Sequence, residues 1–231
     1  MAALKSTPIL SFKLLLAVYT AVMLLFVYSP ITSMVFFSFN SGMSISVPFE
    51  GFSLRWYTDL FSDTAIIGAL SYSLQLAVVN ALVTTMLVTL ISLVLRKEFH
   101  GKDLIFYILM LGVIMPGVIL GLGAAIFYDF VGVSTSIWTA LPVHVIWALP
   151  WGIFIMLIRF DPLLLSYEQA ASSLGANNWK VFREITFPQI FPQIMATGLF
   201  AFTLSFGDLV RSIFIVGGTS TLPIYIFGYL S

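Results

Sequence analysis

Four apolar runs constrain this chain more than anything else in it: residues 14–37, 65–95, 104–127 and 138–158. Each meets the roughly 20 residues that a helix needs to cross the hydrocarbon core of a bilayer. A fifth run, 194–216, is long enough as well, although it contains Asp208 and Arg211. In lipid, every backbone N–H and C=O must be paired within the protein, so apolar runs of this length form helices. The expected fold is an all-α integral membrane protein with five transmembrane helices, organised as one transmembrane domain over 1–231. The last apolar run, 222–230, is too short to cross. Only 9% of the residues are charged, whereas soluble domains carry about 25%.

Basic residues orient the spans. Lys5 and Lys13 precede the first run, Arg96, Lys97 and Lys102 separate the second from the third, and Arg159, Lys180 and Arg183 separate the fourth from the fifth. If the spans alternate, these segments share one side and hold eight of the ten Lys and Arg residues. The other side carries Arg55 among Glu50, Asp59 and Asp63. The excess of positive charge on cytoplasmic loops then places the N-terminus in the cytoplasm. The first run exceeds a signal-peptide core and lacks a small-residue cleavage site, so it reads as a retained anchor. The outer segment, 40–64, contains an amphipathic patch at 54–61, where Trp56, Tyr57 and Phe61 suit a short helix at the membrane interface.

The inner loop 159–193 is long and carries structure signals of its own. Asp161-Pro162 opens it as a turn, and Pro188 and Pro192 close it. Between them, 166–174 can make two helical turns that Gly175 would stop. Asn177 is a candidate N-cap for a second short helix over 178–185. Trp179, Phe182 and Ile185 would form one apolar ridge on that helix. Two short helices joined at a glycine make a knob that a partner can grip.

The same stretch resembles the EAA loop of ABC importer permeases. Gln169-Ala170-Ala171, then Gly175-Ala176, then Ile185-Thr186-Phe187-Pro188 follow that pattern of Glu-Ala-Ala, three residues, Gly, nine residues and Ile-x-Leu-Pro. The resemblance implies that Glu168, Gln169, Ala170, Ala171, Gly175, Ala176, Ile185 and Pro188 dock an ATP-binding subunit. One departure stands out: Gln169 occupies the position of the family's Glu, with Glu168 beside it. Either an amide contact replaces the carboxylate contact, or Glu168 reaches over to supply it. Asn40, Gly51-Phe52-Ser53-Leu54-Arg55-Trp56-Tyr57, Phe99-His100-Gly101-Lys102 and Phe202-Thr203-Leu204-Ser205-Phe206-Gly207-Asp208 extend the resemblance to the spermidine/putrescine-type branch. Members of that branch are type I importer permeases of the bacterial inner membrane with six spans. On that count this chain stops before its last. They work with a second permease subunit, an ATPase dimer that binds ATP and Mg, and a periplasmic or lipid-anchored binding protein. The cargo so implied is a polyamine; a different small solute moved in the same way is the alternative.

Ionisable groups within spans are costly and mark cavities or partners. Asp208 and Arg211, at i and i+3 on the expected fifth helix, can pair with each other, and Asp208 also suits a cationic cargo. His144 lies between Pro142 and Pro150, which should kink the fourth helix, and Trp147 and Trp151 beside it could stack on a cation. These five form the candidate substrate path, with packing or hydrogen-bonding roles as the alternative reading. Gly117 and Gly121 favour a close helix approach. Gln75 and Asn80 should hydrogen-bond to neighbouring helices.

Several function classes find no support. There is no cysteine, hence no thiolate nucleophile or cysteine zinc site. With two histidines on separate elements, a metal centre is not expected. Zero net charge offers no basic field for nucleic acid. No Gly-x-x-x-x-Gly-Lys-Ser/Thr loop, His-Glu-x-x-His or Gly-x-Ser-x-Gly occurs, so ATP hydrolysis is expected in a separate subunit and no catalysis in this one. A secondary transporter or channel is the competing class. It would show internal repeats and ionisable residues in several spans, and neither is evident.

Overall fold

The computed structural model describes residues 8–42 and 49–230. Lys5 and positions 43–48 of the expected outer segment lie outside the described residues. The chain falls into two compact units, Met1–Asp63 and Thr64–Ser231.

In the first unit, α1 (Pro8–Phe37) is apolar on all sides. Every side chain from 12 to 36 is exposed, the behaviour of a helix whose solvent is lipid. After it the backbone turns at Asn40, whose Oδ1 accepts the Glu50 amide at 2.9 Å and whose carbonyl accepts Trp56 Nε1 at 2.9 Å. An isolated antiparallel bridge, Asn40 to Phe52, closes the turn. The amphipathic patch forms α2 (Arg55–Ser62).

The second unit is built on three long helices. These are α3 (Thr64–Leu95), α6 (Ala140–Leu157) and α9 (Phe187–Phe206), which pack on one another in every pairing. Between α3 and α6 run α4 (Lys102–Ile114) and α5 (Gly117–Phe130), the first of which packs on α6. A single 3₁₀ turn, Ile137–Thr139, leads into α6. After α6 come α7 (Pro162–Ser173) and α8 (Asn178–Val181), then a π-helical turn at Phe182–Thr186 that runs into α9. A 3₁₀ turn at Ser212–Phe214 and α10 (Leu222–Leu230) follow. One apolar cluster, with Val88, Ile153, Met156 and Ile190, fills the end of the bundle near α7. A second, with Leu76, Ala140, Val143 and Ile215, fills the opposite end. Asn80 ties α3 to α9 by giving its amide to the carbonyl of Ala201 at 2.9 Å. Gln75 bonds instead to Ser71 on its own helix.

Three span boundaries differ from the sequence reading. The expected span 104–127 is two helices bent by 102° at Met115–Pro116; hydropathy averages across the break, while the proline ring forbids the regular ladder. The expected span 194–216 ends at Phe206, because Gly207 caps α9 and the residues after it form a turn. It also begins far earlier, since α8, the π turn and α9 make one apolar stretch, Asn178–Phe206. The inner loop 159–193 is correspondingly shorter. Pro188 does not close it but sits in the first turn of α9, where a missing N–H is least costly. The wide π turn directly before Pro188 relieves the clash its ring would otherwise make with the carbonyl four residues earlier.

Candidate functional site

Each end of the three-helix bundle carries an Arg–carboxylate pair, buried at one end and part-buried at the other. At one end stands the elbow of α7 and α8. Asp161 does not open a free turn; it N-caps α7, its Oδ1 accepting the Leu164 amide at 2.8 Å with Pro162 as first helical residue. The helix ends at Gly175, in the left-handed region with φ +87°. Gly175 N–H bonds back to Ser172 at 3.0 Å and Ala176 N–H to Ala171 at 3.1 Å, the Schellman pattern that satisfies the last carbonyls. Asn177 then caps α8, accepting the Lys180 amide at 2.8 Å.

The buried residues of α7 are Leu164 and Glu168, four apart and so on one face. Glu168 therefore points into the protein. Its Oε1 accepts Arg96 Nη1 at 2.7 Å, from just beyond the end of α3, and also Thr186 Oγ1 from the π turn. The guanidinium lies 5.2 Å from the centre of the Phe160 ring. A second arginine braces the same end: Arg159 donates to Asp161 Oδ2 at 3.0 Å, to the Gln189 carbonyl at 3.1 Å and to Gln189 Oε1. The Glu168 Oε1 is thus engaged within the chain by both partners.

Gln169 and Ala170 remain exposed, as do Gly175 and Pro188; Ala171, Ala176 and Ile185 are half-buried. Ile185 turns inward against the apolar cluster, so the expected ridge of three residues is broken. Trp179 stays outside, 68% exposed and stacked on Phe182 at 5.9 Å. Leu174, at the tip of the elbow, is 88% exposed. The sequence reading named Leu174, Arg96 and Thr186 without assigning them to the site. The first was signalled by its place between two small-residue stretches; the other two had no local signal.

At the opposite end, His144 of α6 is buried between two hydroxyls, Ser205 at 2.8 Å from Nδ1 and Ser212 at 2.9 Å from Nε2. Asp208 Oδ2 lies 3.4 Å from Nε2. The other carboxylate oxygen accepts Arg211 Nη1 at 2.8 Å, and Oδ2 accepts the Arg211 backbone amide at 3.2 Å. Asp208 and Arg211 thus pair as their spacing suggested, but within a turn after α9 rather than along a helix. The guanidinium lies 3.5 Å from the Trp147 ring centroid, so the cation on that ring is the protein's own. Gly117 and Gly121 pack against this turn instead of another helix: a Cβ at Gly121 would come within 2.8 Å of the Arg211 carbonyl. Trp151 stands apart from the cluster, its ring 6.2 Å from that of Phe200 and its Nε1 buried without a partner. Among the described residues, no three His, Asp or Glu side chains are placed to share a metal ion.

Residues 90–230, which span both ends of the bundle and the elbow, match the family described as binding-protein-dependent transport system inner membrane component. The chain belongs to that family. It is a permease subunit of a type I ABC importer, an inner membrane protein. Among its relatives, the putrescine transport system permease protein PotI of Escherichia coli is 35% identical over 214 residues, covering 87% of this chain and 75% of the relative. The spermidine/putrescine transport system permease protein PotC of Haemophilus influenzae is 31% identical over 207 residues, 87% of this chain and 79% of its own. A molybdenum transport system permease protein, ModB of the same organism, is 29% identical over 182 residues, 71% of this chain and 80% of its own. The permease scaffold is thus shared by relatives whose names carry different cargoes.

Proposed function

We propose that this permease carries a polyamine, or a similar small organic cation, delivered to its outer face by a soluble or lipid-anchored binding protein. The names of the putrescine and spermidine/putrescine relatives support that cargo. A second permease subunit would complete the pathway. An ATPase dimer, holding ATP and Mg, would supply the energy, leaving this chain without catalysis of its own. The N-terminus and the α7–α8 elbow then face the cytoplasm.

The observation that carries the docking part is the elbow itself. Its outer face presents Gln169, Ala170, Gly175 and the apolar tip residues Leu174 and Trp179 to solvent, while its inner face is fixed by Glu168. A rigid support beneath an exposed apolar tip suits a helix-in-groove contact. Gln169 provides the polar contact as an amide. Closure of the ATPase dimer would push this knob and rock the helices behind it as a rigid body.

Asp208 is neutralised by Arg211, and Trp147 is occupied by the same guanidinium. This favours a second reading of His144, Trp147, Asp208 and Arg211 as a latch that fastens the turn after α9, with cargo selection left to the binding protein. Trp151 stands outside that latch, against Phe200. The test is uptake of radiolabelled putrescine by the assembled transporter, with co-purification of the ATPase in parallel. Uptake that is lost with the ATPase when 166–185 is deleted supports the docking reading. Uptake that survives the deletion counts against it, and molybdate uptake in place of putrescine would overturn the cargo.

A further inference from the structure

Glu168 ties the elbow to the ends of two helices of the bundle at once. Its Oε1 receives Arg96, from the end of α3, and Thr186, from the π turn ahead of α9. Arg96 and Glu168 lie 72 positions apart in the chain, so the pair joins elements that no local interaction would hold together. Thr186 is 1% exposed and Glu168 9% exposed, while Arg96 is half-buried. The π turn is where the ladder of α9 is widest, with Phe187 N–H bonded to the Phe182 carbonyl five residues back. Such a turn is a natural place for a helix to bend. A hydroxyl from inside it, Thr186, is held by a carboxylate on α7.

We propose that Arg96, Glu168 and Thr186 form a strut that transmits motion of the docked elbow to α3 and α9 together. Resting on the docking reading above, it assigns Glu168 to force transmission and leaves ATPase contact to the outer face of α7. Without the strut the elbow still reaches the ATPase, but its displacement is absorbed at the π turn instead of rocking the bundle. These three are positioning residues: they touch neither nucleotide nor cargo.

The test uses the assembled transporter in proteoliposomes, with putrescine uptake counted per ATP hydrolysed. Glu168→Gln and Arg96→Gln should each keep the ATPase at wild-type stoichiometry, while transport per ATP falls about tenfold, within the range of ordinary coupling free energies. Arg96→Lys, which keeps the charge, should retain most of the coupling. The exchanged pair Arg96→Glu with Glu168→Arg should recover part of what either reversal alone loses. Thr186→Val should lower transport per ATP, and Thr186→Ser should restore it. Unchanged transport per ATP in both glutamine variants would overturn the strut. So would loss of the ATPase from Glu168→Gln alone, which would make Glu168 a docking contact. If the unmodified transporter retains no ATPase, the docking reading itself fails, and the strut with it.

Discussion

The two Arg–carboxylate pairs at the ends of the bundle are chemically alike and built in opposite ways. Asp208 and Arg211 are three residues apart and close on each other within one turn, with His144, Ser205 and Ser212 gathered around them. Glu168 and Arg96 come from separate elements and meet only because α7 folds back on the end of α3. The first pair is sealed and fastens its own loop. The second spans a joint, backs onto an exposed surface, and leaves Arg96 about a quarter open to solvent. A closed pair can only stabilise; a pair across a joint can also carry displacement from one element to another.

The largest expected effect lies at the sealed end. Asp208→Ala leaves the Arg211 guanidinium buried and unpaired, a loss of about 3–5 kcal/mol. The thermal midpoint of the purified permease should drop sharply, and an unchanged midpoint would remove the contrast between the two ends. At the joint, Glu168→Ala removes a charge-assisted hydrogen bond that is partly screened by solvent, and should cost about 1.5–3 kcal/mol. The sharper signature there is functional, since coupling should fail before folding does.

Two smaller changes probe the elbow. Gly175→Val forces a β-branched residue into the left-handed region, at about 1–2 kcal/mol. There is open space around its Cβ, so the damage comes from the backbone and from the misdirected tip. Pull-down of the ATPase should weaken more than the thermal midpoint falls. Asn177→Ala deletes the cap of α8 and should cost about 1 kcal/mol, seen as faster hydrogen exchange over 178–182 with little effect on α9.

The contrast between the ends also explains what could be read from the sequence. Spans announced themselves by length, because a bilayer sets a minimum that chance rarely meets. Asp208 with Arg211 was legible from a spacing of three, although the turn that holds them was not. Leu209, Val210 and the run 213–216 keep the hydropathy high after Gly207 has ended the helix. The break at Met115–Pro116 was hidden in the same way, by apolar residues on both sides. Around the elbow, Gly175 and Asn177 carried their own conformational signals. The inward turn of Glu168 did not, because it depends on Arg96, and nothing local records a contact over that distance. Leu164 four residues before Glu168 was the single hint, since it fixes which face of α7 is inside. Pro188 misled for a physical reason: a proline ends a helix from within but is accepted in its first turn.

On the docking reading, α7 shows the ATPase its Gln169–Leu174 side and keeps Glu168 for the protein itself. The chain contains no cysteine, so a single introduced thiol reports on its own position. In the assembled transporter, with cysteines placed in the groove of the ATPase, Leu174→Cys and Gln169→Cys should form intersubunit disulfides on mild oxidation, whereas Glu168→Cys should not. Cross-linking through position 168 with none through 174 would contradict the account.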